Sequence, residues 1–221
     1  MVDVQMSLCD APQKVEQALA LEPHGKPTEV WLFDDPALTL YGKGLRIRLR
    51  GARHGMELTL KAANQNCAWL PAGALPPGEG KCEYDLHGDK VAGALSLTRK
   101  LDRHAAKALL DQPRALANAL SPAQTKFLQS TAGAWPLASD LRALGPTQVR
   151  SFRTKGTRYA VDISTLPGGE DFIEISTKVP LADQAAVRAQ MQADLAQAGV
   201  AVCADQSAQA GNKLEALLKV R

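Results

Sequence analysis

Aromatic residues are scarce in this chain of 221 residues, at 5%, and its three tryptophans (Trp31, Trp69 and Trp135) follow no regular spacing. They read as packing anchors, not as a platform for stacked bases. Surplus charge is scarce too. A net charge of +3 falls short of the concentrated Lys and Arg excess that duplexes require, so no nucleic-acid partner is expected. No run of about 18 apolar residues occurs, which excludes a membrane-spanning helix, and no membrane partner is expected. The opening residues MVDVQMSLCD lack the basic start and apolar stretch of a secretory leader.

The four cysteines, Cys9, Cys67, Cys82 and Cys203, include no C-x-x-C pair, so a zinc site is not expected. Scattered in this way they suit a reducing compartment as small apolar residues, with Cys82 on the apolar side of its strand, and the cytoplasm is the expected location. His24, His54, His87 and His104 stand without acidic or cysteine partners at catalytic spacing and read as surface residues. Neither Ser7 nor Ser207 has the G-x-S-x-G context of a nucleophile. The loop LPGGED at 166–171 lacks the G-K-[ST] of a phosphate loop.

What is present is globular composition, 45% apolar and 22% charged, in a chain long enough to bury a core without disulfides or metal. VDVQMSL alternates strictly, Val4, Met6 and Leu8 against Asp3, Gln5 and Ser7, which is strand periodicity. Residues 11–21 read as a short helix and TEVWLFDD as a strand. LRIRLR sets Leu45, Ile47 and Leu49 against Arg46, Arg48 and Arg50, and MELTLK repeats the scheme after a turn, so the two form a hairpin. KCEYDL places Lys81, Glu83 and Asp85 on one side. Residues 89–145 are rich in Ala, Leu and Lys at helical spacing and predict two to four helices. Strands resume in VRSF and RYAVDIS, joined by a TKGT turn, and in FIEISTKV. A helix over Pro180–Ala198, a short strand in VAVCA and a closing amphipathic helix complete the chain.

Nearly every strand thus has one apolar and one charged face. Three arginines in successive same-face positions, about 7 Å apart, repel one another unless an anion lies alongside. Arginine is also the side chain that grips phosphate with paired hydrogen bonds. With the helices covering the apolar faces, a sheet closed into a barrel of about eight strands would enclose the charges. Inward carboxylates suit Mg²⁺ or Mn²⁺.

WLFDDPALTLYGKGLRIRLR at 31–50, ELTLK at 57–61, KCEYD at 81–85, VRSF with RYAVDIS at 149–164 and FIEIS at 172–176 resemble, in order and spacing, the motifs of the CYTH domain, the triphosphate tunnel metalloenzyme family. The resemblance covers essentially the whole chain. It implies an α+β fold, an eight-stranded antiparallel β-barrel (tunnel) with flanking helices. It also implies one domain over 1–221: strand-rich 1–88, a helical insert at 89–145 and a strand-rich second half at 146–221. The implied ligand is a triphosphate or polyphosphate: inorganic tripolyphosphate, thiamine triphosphate or a nucleotide. Arg46, Arg48, Arg50, Lys61, Lys81, Arg150 and Arg158 would hold its phosphates, and Asp3, Glu83, Asp85, Asp162 and Glu174 would hold Mg or Mn.

The first strand departs from the family's E-x-E-x-K. It offers Asp3, then an amide at Gln5, then Ser7 where lysine is usual, and Ser207 is followed by Ala208 where the family often has Ser-Lys. Two readings follow. One is a weak metal-dependent triphosphatase. The other is a catalytically inactive descendant that binds a polyanion or a protein partner.

Overall fold

The computed structural model describes residues 1–52, 55–67, 78–87, 90–130, 136–156, 159–206 and 209–219. His54, Trp69, Trp135, Arg158 and Ser207, residues 68–70 of the CAWL segment and the side chain of His87 lie outside the described residues.

Strand β1 (Val2–Leu8) buries every second side chain, as its alternation demands. Helix α1 (Pro12–Ala18) follows, then a short strand β2 (Leu21–Pro23), strand β3 (Thr28–Asp34) and the four-residue helix α2 (Thr39–Gly42). The arginine strand β4 (Leu45–Ala52) and β5 (Gly55–Gln65) form the expected hairpin, and β6 (Gly80–His87) comes next. Strand β7 (Lys90–Leu101) occupies the start of the stretch expected to be helical. There Leu95, Leu97 and Leu101 pack into a core while Ser96, Thr98 and Lys100 alternate with them, so sheet pairing overrides the helix propensity of Ala, Leu and Lys. Helices α3 (Arg103–Asp111), α4 (Leu116–Ala119) and α5 (Pro122–Ser130) then precede β8 (Arg142–Thr154), β9 (Ala160–Thr165) and β10 (Asp171–Val179). Helices α6 (Gln184–Gln197) and α7 (Gln209–Lys219) close the chain, and VAVCA supplies an isolated bridge, Val202 to Leu8.

Hydrogen bonding orders the strands β2-β8-β3-β4-β5-β7-β6-β1-β10-β9, and an additional β8–β9 pairing closes the ring. The result is a closed mixed barrel of nine strands with β2 as an extra strand on β8. It corrects the expected eight antiparallel strands in two ways. Strand β7 adds a member, and β1 runs parallel to β6, Val2 beside Tyr84 and Asp3 beside Asp85. A parallel pair needs a long crossover, which the chain between β1 and β6 provides.

The described residues divide into two compact units, each discontinuous in sequence: 1–28 with 83–91 and 147–221, and 29–82 with 92–146. In the second, the apolar faces of β4, β5 and β7 make a core with Leu109, Leu116, Phe127 and Leu128 of the helices. Ser121 and Gln124 form a reciprocal cap at the start of α5. The Gln124 amide N–H donates to Ser121 Oγ at 3.2 Å, and the Ser121 N–H donates to Gln124 Oε1 at 3.0 Å. Fully buried Gln124 also donates from Nε2 to the carbonyls of Leu58 and Leu97, fastening the helix to β5 and β7.

The β5–β7 register shifts between Ala62 and Gln65, and Gly93 lies opposite the irregularity. A Cβ at Gly93 would stand only 1.9 Å from the Gln65 carbonyl oxygen, so no larger residue fits. Just beyond, Cys67 is bonded to Cys82.

The first unit packs Val2, Val4, Met6 and Leu8 of β1 with Ile163, Ile173 and Ile175, and with Val15 of α1 and Met191 and Leu195 of α6. Tyr159 donates its hydroxyl to Asp194 Oδ2 at 2.7 Å, tying β9's entry to α6. Cys9 is bonded to Cys203. No cysteine is free. Pairing all four corrects the expectation that they are lone apolar residues.

Candidate functional site

Each unit carries a charged strand face. In the second unit, cross-strand register sets Arg46 opposite Lys61, Arg48 opposite Thr59 and Arg50 opposite Glu57. On the far side of β5, Lys61 faces Ser96, Thr59 faces Thr98 and Glu57 faces Lys100. The Thr59 and Thr98 hydroxyls lie 3.0 Å apart in a hydrogen bond. Because paired residues of an antiparallel ladder share a face, Arg46, Arg48, Arg50 and Lys61 stand together. Lys81 keeps the polar side of its own strand, exposed while Cys82 packs on the core.

The arginines differ in setting. Arg48 is exposed, and Arg46 and Arg50 are half-buried. The Arg46 guanidinium carbon lies 3.8 Å from the centroid of the Tyr41 ring, and Nη1 donates to the Leu45 carbonyl at 3.0 Å. Burial lowers the Arg46 pKa from its ordinary value, with Tyr41 and Asp34 acting against the shift. A cation held partly out of water opposite another cation is an arrangement that an anion would stabilise. The sequence motifs lead to these arginines but not to Tyr41 or Asp34, because a ring stacked on a guanidinium leaves no periodicity. The D-D-P-x-L-T segment, rich in turn formers, is the signal that could have found the loop.

In the first unit the carboxylates gather on another face. Asp3 lies beside Asp85 on β6 and opposite Lys178 on β10. Gln5 faces Ser176, Ser7 faces Glu174, and Glu174 faces Asp162. Lys178 Nζ meets Glu83 Oε1 at 2.8 Å, and this bond holds the lysine's pKa above its ordinary value. Asp3 Oδ1 is buried without a hydrogen-bond partner. Burial pushes the Asp3 carboxyl above the usual range, Gln5 and Lys178 pull it back, and Asp85 and Glu83 push the same way as burial. Lys178 was not among the expected ligands, and it is the cation of this face.

Arg150 stands apart. It pairs with Ile163, whereas Asp162 pairs with Ser151, so Arg150 points to the opposite face of β8. There its Nη1 meets Glu16 Oε1 at 3.0 Å and its guanidinium lies near the Phe152 ring. Register thus takes Arg150 away from the charged face, and Arg158 lies outside the described residues.

Whether these carboxylates suit Mg²⁺ or Mn²⁺ turns on their grouping. Among the described residues, no three His, Cys, Asp or Glu side chains are gathered in a way that could hold a metal ion. The orphaned oxygen of Asp3 is a single donor, and Glu83 is engaged by Lys178. Hard divalent ions require several oxygens in near-ideal geometry. As arranged, the residues do not fit one.

No known family model matches the sequence, and no curated protein matches it significantly. Solved structures do. HpAC1 from Hippeastrum, an adenylyl cyclase candidate with a dominant triphosphatase activity, aligns with TM-score 0.59 at 15% identity, over 93% of this chain and 91% of that one. An adenylate cyclase candidate from Bacillus halodurans (bh2851) aligns with TM-score 0.61 at 14% identity, over 94% and 96%. At such identities the likeness establishes the fold. It is the closed barrel of CYTH-type adenylate cyclase and triphosphatase proteins, as the sequence motifs led one to expect.

Proposed function

We propose that this protein binds a small triphosphate or polyphosphate anion along β4 and β5, with Arg46, Arg48, Arg50 and Lys61 as the phosphate-holding side chains. The observation that carries the proposal is the cross-strand register: three arginines two residues apart on one strand, with Lys61 directly opposite Arg46. Like charges directly opposed destabilise a β pair. The long side chains of three arginines about 7 Å apart along the strand have the reach to converge on one chain of phosphates and supply charge-assisted bonds to it. A solvated strand face needs no such row.

Slow triphosphate hydrolysis is a second reading, favoured by the triphosphatase activity of the structurally similar Hippeastrum protein. Phosphoryl transfer is driven by neutralising charge on the transferred group. Here the arginine row and Lys61 are the fixed cations that could share that task.

The test is calorimetric titration of the protein with tripolyphosphate, thiamine triphosphate and ATP, with and without Mg²⁺ or Mn²⁺, while phosphate release is followed. Tripolyphosphate is expected to bind and to raise the melting temperature. Arg48→Ala should weaken that binding by about 1.5–3 kcal/mol, the worth of one charge-assisted contact. Equal binding by wild type and variant would remove the row from the site. Turnover of several per second would show that a complete catalytic set exists.

A further inference from the structure

We infer that Tyr41 is a positioning residue for Arg46 and that Asp34 holds Tyr41 in place, an inference that rests on the binding reading above. Asp34 ends β3 and is 3% exposed. Its Oδ1 accepts the amides of Asp35 and Leu40, and its Oδ2 accepts that of Tyr41, each at 2.9 Å. Asp35 Oδ1 accepts the amides of Ala37 and Thr39, and Leu38 takes a left-handed φ of 54°. Helix α2, four residues long, is too short to form unaided. These two carboxylates accept the amides of Thr39, Leu40 and Tyr41, and so fix the backbone from which the Tyr41 ring projects.

That ring meets the guanidinium of Arg46 at 3.8 Å. Stacking engages the flat face of a guanidinium and leaves its in-plane N–H groups for an anion. A long arginine side chain normally loses rotamer freedom when it grips a ligand. Arg46, already held by Tyr41 and by the Leu45 carbonyl, has lost that freedom beforehand. Preorganisation of this kind raises affinity without adding a contact.

The experiment is a titration of tripolyphosphate into wild type, Tyr41→Leu, Tyr41→Phe, Arg46→Ala and the Tyr41→Leu/Arg46→Ala double variant, with melting temperatures recorded beside it. Tyr41→Leu should weaken binding roughly fivefold to tenfold, the scale of one cation–π contact. Tyr41→Phe keeps the ring but loses the hydroxyl's hydrogen bond to the guanidinium, and should bind between wild type and Tyr41→Leu. The double variant should bind no worse than Arg46→Ala alone, because the tyrosine acts through the arginine. Wild-type binding with Tyr41→Leu unchanged, or additive losses in the double variant, would overturn the inference alone. No tripolyphosphate binding by the wild type would overturn the functional reading and this one with it.

A separate observation carries a second inference: the chain matures in an oxidising compartment, not in the reducing cytosol that scattered cysteines suggest. All four cysteines are paired, with Cα separations of 5.0 Å for Cys9–Cys203 and 5.6 Å for Cys67–Cys82, both within the range a disulfide allows. Reducing compartments rarely hold two such bonds. The strand ends around Cys9 are built to match. The Cys9 amide donates to the Ala201 carbonyl and the Cys203 amide to the Ser7 carbonyl, both at 2.9 Å. Gln206 brackets Ser7, accepting from its amide and donating to its carbonyl. Each pair of thiols gives two electrons and two protons to a disulfide-donating oxidant, and one S–S bond forms.

The test is to alkylate intact source cells before lysis and map the cysteines by mass spectrometry, then to melt the purified protein with and without reductant. Expected are linked peptides Cys9–Cys203 and Cys67–Cys82 and a fall in melting temperature of about 10 °C on reduction. Four alkylated thiols in freshly trapped cells, or a melting temperature indifferent to reductant, would overturn it.

Discussion

Arg46 on β4 and Lys61 on β5 are directly opposed, two cations in one cross-strand pair. Such a pair weakens a sheet by about 0.2–1 kcal/mol relative to a neutral one. Lys61→Thr should therefore raise the melting temperature of the free protein by about 0.4–4 °C while lowering its affinity for tripolyphosphate. Differential scanning calorimetry and titration on the same sample check both signs. A variant that melts earlier and binds equally well would make Lys61 a structural residue.

Asp3 offers a pH test. Burial raises its pKa above the ordinary 3.8, so the folded state favours the neutral carboxyl. A raised folded pKa contributes stability below the unfolded value, and that contribution is lost as pH rises through the folded value. Asp3→Asn, which keeps the shape without the charge, should melt later than wild type near neutral pH. Below pH 3.8 the two should converge. An earlier melt near neutral pH would mean that attraction to Lys178 outweighs burial.

Much of this was legible in the sequence, and for one reason. Period-two alternation is written by burial, so β1, β4, β5, β6, β9 and β10 announce themselves through Val4, Ile47, Leu60, Leu86, Ile163 and Ile175. Strand β7 did not, because Ala92, Gly93 and Ala94 break the alternation and Leu97 with Leu101 also satisfies a helical spacing. The parallel pairing of β1 with β6 is a long-range fact that no local pattern encodes. Arg150 misled because arginine next to a strand's apolar positions looks inward-facing in sequence, whereas its partner Glu16 comes from a distant helix. The cysteine pairs were hidden by their separations of 194 and 15 residues.

Tyr159 should ionise late. Burial and its hydrogen bond to Asp194 push its pKa up to about 12 from 10.0. The hydroxyl must stay protonated to donate, so its contribution is whole below pH 10 and disappears as pH climbs through about 12. Tyrosinate absorbance against pH is expected to show the late ionisation of Tyr159. Asp194→Asn should bring that ionisation earlier, and an unchanged curve would place the late tyrosine elsewhere.

Gln124 is the buried polar side chain on which α5 is hung. Gln124→Leu keeps the volume but leaves the Ser121 amide and the Leu58 and Leu97 carbonyls short of a partner. The expected loss is about 2–4 kcal/mol, read as a lower urea midpoint with unchanged slope. A loss under about 0.5 kcal/mol, the scale of an ordinary surface change, would show that water or backbone adjustment replaces the staple.

The pairing of β1 also constrains how the chain is made. Its antiparallel partner is β10, Val2 opposite Val179, and its parallel partner begins at Tyr84. A ribosome releases β1 first, yet one edge stays unmatched until most of the chain has emerged. Contacts of such sequence separation fold slowly, since a long loop must close before they form. Throughout that wait Val2, Val4, Met6 and Leu8, all buried in the finished unit, form an apolar ribbon with an open hydrogen-bonding edge. Half-made chains are therefore the sticky species, and a holdase that covers the first strand during synthesis would act at the step where this protein is most exposed to aggregation.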